Sequence, residues 1–108
     1  MDDRLTVIAH VRAKAGQEGR VRELLLGLVG PTRAEAGCLN YDLHESPGEP
    51  ALFVFYENWA SASHLDAHAQ SAHIQAFRKL APELLDGPVE ITRWKAVSQR
   101  TSEKGAGR

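Results

Sequence analysis

This chain of 108 residues has little of several features that would each settle a class of function. It has one cysteine, Cys38, so no internal disulfide can form, which suits a reducing compartment. No apolar run approaches the ~20 residues of a membrane-spanning helix. The opening residues Met1–Arg4 are unlike a secretory signal peptide. We therefore expect a cytoplasmic protein with no membrane partner.

The chain also lacks an excess of charge of either sign and the common phosphate-binding motifs. Its 13 basic and 14 acidic residues are interspersed, which argues against the basic face of a nucleic-acid-binding protein. It contains no Gly-rich phosphate loop, no dinucleotide fingerprint and no Gly-x-Ser-x-Gly nucleophile elbow. Nucleotide binding and serine hydrolysis through these motifs are therefore not expected.

What is present is one domain of ordinary composition, with hydrophobic periodicities that predict six elements in the order β-α-β-β-α-β. This is the ferredoxin-like α+β arrangement, a four-stranded antiparallel sheet with both helices on one face. We assign residues 1–97 to this domain and 98–108 to a disordered polar tail. The predicted strands are 5–12, 38–45, 52–59 and 89–97, and the helical regions are 17–36 and about 62–84.

Turn and capping residues refine this prediction. Gly30-Pro31 should kink or restart the first helix, and Gly37 suits its C-terminal cap. Ser61 or Ser63 can cap the second helical region, which we expect to break near Ser71.

The third predicted strand is apolar on both faces. Phe53, Phe55 and Trp59 point to one side, and Leu52, Val54 and Tyr56 to the other. Two helices cover only one face of such a sheet, and an antiparallel sheet normally leaves its second face polar. We therefore expect a second copy of the chain to cover that face as a homodimer.

Three of the five histidines, His64, His68 and His73, lie within one stretch of ten residues that follows Trp59. His64 is expected to be a solvated surface residue. His68 lies three positions after Leu65 and should face the sheet, either as a structural histidine or as a general base in a pocket. His73 has the same two interpretations. No zinc-peptidase spacing is present, and we predict no metal site.

Polar side chains at the end of the third strand could also serve a site. Asn58 could bind a carbonyl or phenolic oxygen or a neighbouring backbone group, and Trp59 could pack in the core or form a flat wall. Glu57, if it faces inward, needs a partner, for which Arg93 and His10 are candidates. His10 and His44 are more typical of interface or edge positions, and Cys38 of a small buried hydrophobe.

Several short motifs together resemble the antibiotic biosynthesis monooxygenase (ABM) family. They are Thr6-Val7-Ile8-Ala9, Gly37-Cys38-Leu39-x-Tyr41, Tyr56-Glu57-x-Trp59, His64-Leu65-x-Ala67-His68 and Ser71-x-His73. The resemblance runs from about Leu5 to Trp94 and is strongest to the bacterial quinol monooxygenases.

The resemblance implies a dimeric α/β barrel and oxidation of an electron-rich quinol, anthrone or polyketide-like phenol by O₂ without a cofactor. In that reading His68 is the base, Asn58 and His73 are polar anchors and Trp59 is an aromatic wall. Substrate contacts would come from the following side chains: Tyr56, Phe77, Glu57, His10 and Arg93.

Other branches of the family leave alternatives open. Haem-degrading members have an Asn on the first strand and a Trp on the second helical segment, where this chain has His10 and His68. That departure argues against haem breakdown. The stretch Leu84–Pro88 and the Ser71-Ala72-His73 step also resemble an isomerase of phosphorylated autoinducer-2. Its phosphate would need cations, for which Arg12, Arg78 and Arg93 are available. A non-catalytic dimer that binds an aromatic metabolite is the third possibility.

Overall fold

The fold is the predicted ferredoxin-like α+β arrangement, in the order β-α-β-β-α-α-β. It is known from a computed structural model that describes residues 3–99. None of the helices in this range is long and apolar enough to cross a membrane. The elements are β1 (Leu5–Arg12), α1 (Glu18–Arg33), β2 (Cys38–Glu45), β3 (Leu52–Trp59), α2 (Ala62–Ala69), α3 (Ala72–Leu84) and β4 (Glu90–Trp94).

The four strands form one antiparallel sheet in the order β2-β3-β1-β4. The two central strands, β1 and β3, pair over their full length, from Leu5 opposite Trp59 to Arg12 opposite Leu52. Their β-branched and aromatic residues explain why they form the centre of the sheet. The side chains of one face alternate with those of the other, so this register fixes which residues face the helices.

The core lies between the helices and one face of the sheet. Val7 and Val11 of β1 and Phe53 and Trp59 of β3 are at most 2% exposed. Opposing residues come from the amphipathic helices, among them Val21, Leu25, Leu65, Ile74 and Leu84. The predicted division of β3 into an inward aromatic face and an outward face is therefore confirmed.

Helix α1 differs from the prediction near its end. It runs through Gly30-Pro31 without restarting, because Pro31 lies in the last turn. There its ring deprives only the carbonyl of Gly27 of a hydrogen bond, and Gly27 is exposed to water. The cap residue is Ala34, so the prediction of Gly37 as the cap was wrong. Gly37 lies in the turn before β2 with φ of +79°.

The second helical region is two helices, as the expected break near Ser71 implied. Ser61 caps α2, with its side chain accepting a hydrogen bond from the backbone N–H of His64. Strand β4 is shorter than predicted and ends at Trp94. Of the predicted tail, residues 100–108 lie outside the described range.

The other face of the sheet carries no helix among residues 3–99. It combines apolar side chains with a row of hydrogen-bonded polar ones. Tyr56 and Trp94 are 44% and 55% exposed, while Leu52 and Val54 are half-buried. We refer to this surface as the outer face.

Candidate active site

An apolar cavity of about 230 Å³ lies between the helix-facing side of the sheet and helices α2 and α3. Its walls are aliphatic and aromatic, and a few polar side chains reach it. Such a lining is typical of small-molecule sites. The lining residues are Val7, Ala9, Val11, Leu28, Tyr41, Phe55, Glu57, Leu65, Asp66, His68, Ala69, Ile74, Phe77, Arg78, Val89, Ile91 and Arg93.

The break between α2 and α3 brings two histidines to one point. His68 lies at the end of α2 and His73 in the first turn of α3. On a continuous helix, side chains five residues apart point about 140° away from each other. Ser71 stabilises the break because its hydroxyl donates to the carbonyl of His68 at 2.7 Å and lies 3.3 Å from His73 Nε2.

The point where the two histidines meet is the carboxylate of Glu35. Its Oε2 lies 2.8 Å from His68 Nδ1 and 2.8 Å from His73 Nε2. A carboxylate only accepts hydrogen bonds, so both ring nitrogens are the donors. Glu35 belongs to the turn between α1 and β2, in which the N–H of Cys38 donates to the carbonyl of Glu35. The turn therefore holds Glu35 beneath both helices.

The ring of His68 is buried and lies among aromatic side chains. Its centroid is 4.7 Å from that of Trp59 and 5.6 Å from that of Tyr41. Because Nδ1–H donates to Glu35, Nε2 of the neutral ring carries the lone pair. Nε2 has no hydrogen-bond partner within residues 3–99, and His68 lines the cavity. The arrangement is that of a base oriented by a carboxylate.

A second acidic group, Glu57, lines the same cavity from strand β3. It is only 4% exposed, and its Oε1 accepts a hydrogen bond of 2.9 Å from the indole N–H of Trp59. Burial raises the pKa of Glu57 to about 7, against the smaller opposing effect of the Trp59 hydrogen bond. A carboxyl group at this position can therefore hold a proton near neutral pH.

Two neighbouring groups are held neutral. Burial raises the pKa of the Tyr41 phenol well above its usual range, so the ring reaches the cavity as an uncharged phenol. Burial also raises the pKa of the Cys38 thiol to about 11, so Cys38 has little of the thiolate form that reacts as a nucleophile.

Glu35, His68 and His73 are also a donor set of the kind that can hold a metal ion. One ligand atom from each lies within 4.8 Å of the others. Two imidazoles and one carboxylate suit several divalent ions. The same three atoms, however, already satisfy one another through two hydrogen bonds of 2.8 Å. That no metal binds here remains a prediction, which oxygen uptake with and without added metal will test.

The cavity continues towards the surface between α3 and β4. A second space of about 520 Å³ shares Phe77, Arg78 and Ile91 with it. Arg78 and Arg93 stand along the cavity, and Arg93 Nη2 is 3.9 Å from the carboxylate of Asp66. Asp66 also lines the cavity, so charges of both signs lie along it.

Comparison with known proteins identifies the family. The sequence profile of the antibiotic biosynthesis monooxygenase family matches residues 4–80, well over half of the chain. The chain belongs to this family. Among curated members, "Putative monooxygenase Rv0793" of Mycobacterium tuberculosis is 38% identical over 92 residues, covering 85% of this chain and 90% of that protein.

Two further proteins are similar to this chain. "Probable quinol monooxygenase YgiN" of Escherichia coli is 32% identical over 83 residues, covering 68% of this chain and 80% of that protein. The crystal structure of PA3566 from Pseudomonas aeruginosa matches with a TM-score of 0.86 at 35% identity. It covers 91% of this chain and 98% of that one.

Within this ABM fold, some of the predicted site residues come together. His68, Glu57, Phe77 and Arg93 line the cavity, and His73 joins His68 through Glu35. Trp59 is fully buried behind His68 and Glu57 and does not line the cavity, so it is not the aromatic wall that we expected. Tyr41, Phe55 and Phe77 provide that wall instead.

The remaining predicted site residues lie on the outer face. Asn58 is buried there with Thr6 and Asn40 as hydrogen-bond partners, because it alternates with Glu57 and Trp59 along β3. Tyr56 and His10 share that face and are exposed. The structure therefore does not bring these three side chains to the cavity beside His68, and their contact with substrate stays a prediction.

Two further expectations for single residues were also wrong. Neither Arg93 nor His10 is the partner of Glu57, whose bond is to Trp59. His64 is half-buried rather than solvated, with Nδ1 2.8 Å from Ser61 Oγ.

Glu35 is the site residue that the sequence analysis missed. It belongs to neither a helix nor a strand, so no periodicity marks it. The signal that could have found it is position, because it lies two residues before Gly37, the first residue of the Gly37-Cys38-Leu39-x-Tyr41 motif.

Proposed function

We propose that this chain is a cytoplasmic, cofactor-independent monooxygenase that oxidises an electron-rich aromatic, such as a quinol, an anthrone or a polyketide-like phenol, with O₂. The observation that carries the proposal is the pairing of His68 with Glu35 beside an apolar cavity. Membership of the ABM family supports the reaction class.

The first step is removal of a phenolic proton by Nε2 of His68. Glu35 accepts the hydrogen bond from Nδ1–H, which keeps the lone pair on Nε2 and stabilises the imidazolium that forms. The second bond from His73 fixes the position of the carboxylate. His73 is therefore a positioning residue.

The phenolate, which for an anthrone forms from its enol tautomer, then reduces O₂ by one electron. The radical pair combines to a peroxide anion, which takes the proton back from the His68 imidazolium and becomes a hydroperoxide. For an anthrone, loss of water completes a balanced reaction. The methylene carbon loses two hydrogens and gains one oxygen atom, and the second oxygen atom leaves as water. The apolar walls of Tyr41, Phe55 and Phe77 exclude bulk water from these intermediates.

Oxygen uptake by the metal-stripped protein with a panel of quinols and anthrones tests this function. Oxygen uptake that requires the protein and occurs without added metal supports the proposed function. Uptake only after a divalent ion is restored would assign Glu35, His68 and His73 to a metal instead. Anaerobic conversion of a phosphorylated sugar-like ligand would favour the isomerase, and affinity without turnover the binding domain.

The base assignment makes a sharper prediction. His68→Gln should lower kcat/KM for oxygen uptake by about 10²-fold or more, because the amide cannot accept the phenolic proton. Glu23→Gln is the control, since Glu23 is exposed on α1, away from both the cavity and the outer face, and should leave the rate unchanged. Equal rates in the native protein and in His68→Gln would contradict the assignment.

We further propose that the active form is a homodimer in which two outer faces pack together. Family membership and the exposure of Tyr56 and Trp94 on that face support this assembly.

A further inference from the structure

The cavity has a second polar group that the reaction above does not use. Glu57 enters it from the sheet, whereas His68 enters it from α2. Both groups contact Trp59, the imidazole through its ring and the carboxyl through the indole N–H. They therefore lie at the same end of the cavity, next to one tryptophan.

Only one oxygen of Glu57 is engaged. Oε1 accepts from Trp59, while Oε2 has no hydrogen-bond partner among residues 3–99. Oε2 is not among the fully buried polar atoms that lack a partner, so it is open to a molecule in the cavity. Since Glu57 lines the cavity, a bound ligand can supply that partner.

No cation among residues 3–99 neutralises Glu57. In the sheet, Val7 of β1 pairs with Glu57 of β3 on one side and with Arg93 of β4 on the other. Strand β1 therefore lies between the two charged residues, and their backbones are about 10 Å apart. The titratable groups that face Glu57 from the surrounding elements are Glu35, Cys38, Tyr41, His68 and Arg93. Among them, Glu35 carries the same charge as ionised Glu57. Burial and this repulsion both disfavour ionisation of Glu57.

We propose that neutral Glu57 donates a hydrogen bond to a second substrate oxygen, distinct from the one that His68 deprotonates. This inference rests on the proposed function and narrows its substrate class to aromatics with two oxygen substituents. A quinol or a hydroxylated anthrone meets this requirement, and a simple monophenol does not. Ionised Glu57 would instead repel the phenolate that His68 creates.

Anaerobic binding tests the inference without turnover. Isothermal titration calorimetry compares 1,4-dihydroxynaphthalene with 1-naphthol, which lacks the second oxygen. Below the Glu57 pKa of about 7, the native protein should bind the diol about tenfold more tightly, the value of one good hydrogen bond. About one unit above that pKa the preference should shrink markedly.

Two substitutions separate the carboxyl proton from packing. Glu57→Gln keeps an acceptor for Trp59 and an N–H donor for the ligand, so the preference should persist at both pH values. Glu57→Leu should lose it at both. Glu90→Gln, at an exposed position on β4, is the control and should behave as the native protein. Circular dichroism confirms that each variant is folded.

Several outcomes would overturn the inference. They are a preference that Glu57→Leu retains, a preference that grows above the pKa of Glu57, and failure of both naphthols to bind. If the naphthols bind with the predicted preference but the protein consumes no oxygen, this inference is supported and the proposed function is wrong. Oxygen uptake with no dependence of binding on Glu57 would do the reverse.

Discussion

Single residues at this site show what a sequence pattern can and cannot predict. His68 was expected to face the sheet because helical spacing from Leu65 determines its direction, and it does so. Glu35 could not be found in this way, since its place depends on how a turn packs against two helices whose histidines lie 33 and 38 residues further along the chain.

The partner of Glu57 was missed for a related reason. A buried carboxyl suggests a cation, so Arg93 and His10 were expected from sequence. Residues two apart on a strand share a face, however, and the indole N–H of Trp59 is the nearest donor on that face. A neutral pairing of this kind is favoured where burial penalises charge.

Glu57 also makes stability depend on pH. Its pKa is about 7 in the folded protein and near 4.5 in the unfolded chain, so the folded state binds the proton more tightly. Stability should therefore fall as pH rises from about 4.5 to 7 and stay lowered above that. Glu57→Gln should remove this fall and gain on the order of 3 kcal/mol over the native protein at high pH.

Urea unfolding of both proteins at pH values below, within and above this window measures the difference. The difference between the free energies of unfolding of the two proteins reports on Glu57, because every other titrating group is common to both. Glu90→Gln should show no such trend, since Glu90 is exposed. A native-to-variant difference that does not change with pH would show that Glu57 is not protonated near neutral pH.

At the scale of elements, the sequence predicts the sheet better than the helix ends. The bounds of β1 and β3 agree because alternation and β-branched residues act locally. The passage of α1 through Pro31 was not predicted, since it depends on an exposed carbonyl in the last turn. Leu39 alternates with Tyr41 in sequence yet is 53% exposed, because a bulge between Cys38 and Asn40 shifts the register there.

The turn that carries Glu35 is tied to α2 at Gly37. The carbonyl of Gly37 accepts from the N–H of Ala60, and a Cβ on Gly37 would overlap the ring of His64. Its φ of +79° also disfavours any side chain. This close approach holds Glu35 in reach of His68, so Gly37 is an element-level determinant of the site.

Gly37→Ala should therefore destabilise the fold more than Gly16→Ala. Gly16 has φ of +86°, and nothing lies within 4 Å of the position that an alanine methyl group would take, so its substitution adds backbone strain alone. The excess loss at Gly37 should be about 1–3 kcal/mol in urea unfolding, the cost of overpacking.

The variant His64→Gly tests the origin of that excess, because the Cβ of His64 as well as its ring lies too close to the position of a Cβ on Gly37. In the double variant with Gly37→Ala, compared with His64→Gly alone, most of the excess should disappear. Equal losses at Gly37 and Gly16, or an excess that survives removal of the whole His64 side chain, would contradict contact with His64 as the cause.

For the whole molecule, the outer face is the surface that the chain's own helices leave uncovered. The row of Thr6, Asn58, Asn40 and Asp42 is linked by hydrogen bonds within the chain. The apolar side chains beside that row are not covered in this way. Exposed aromatic surface of this kind is what a two-fold interface would bury.

Substitution on this face separates assembly from folding. Tyr56→Lys should convert the proposed dimer into a monomer, because a charge at the centre of the interface would lose its water. The isolated sheet should tolerate it, since Asp42 is opposite Tyr56 and can pair with the lysine. Leu26→Lys is the matched control, because Leu26 on α1 is equally exposed at 44% but lies on the helical side.

Light scattering at micromolar concentration should then give twice the chain mass for the native protein and for Leu26→Lys, and the chain mass for Tyr56→Lys. If the native protein has the mass of a single chain, the homodimer proposal is wrong. A dimer that persists in Tyr56→Lys would place the interface elsewhere. Because His68 and Glu57 open on the opposite side of the sheet, a folded Tyr56→Lys monomer also shows whether the cavity works alone. Retained oxygen uptake by that monomer would make the chemistry a property of one chain, and its loss would make the second copy necessary for the site.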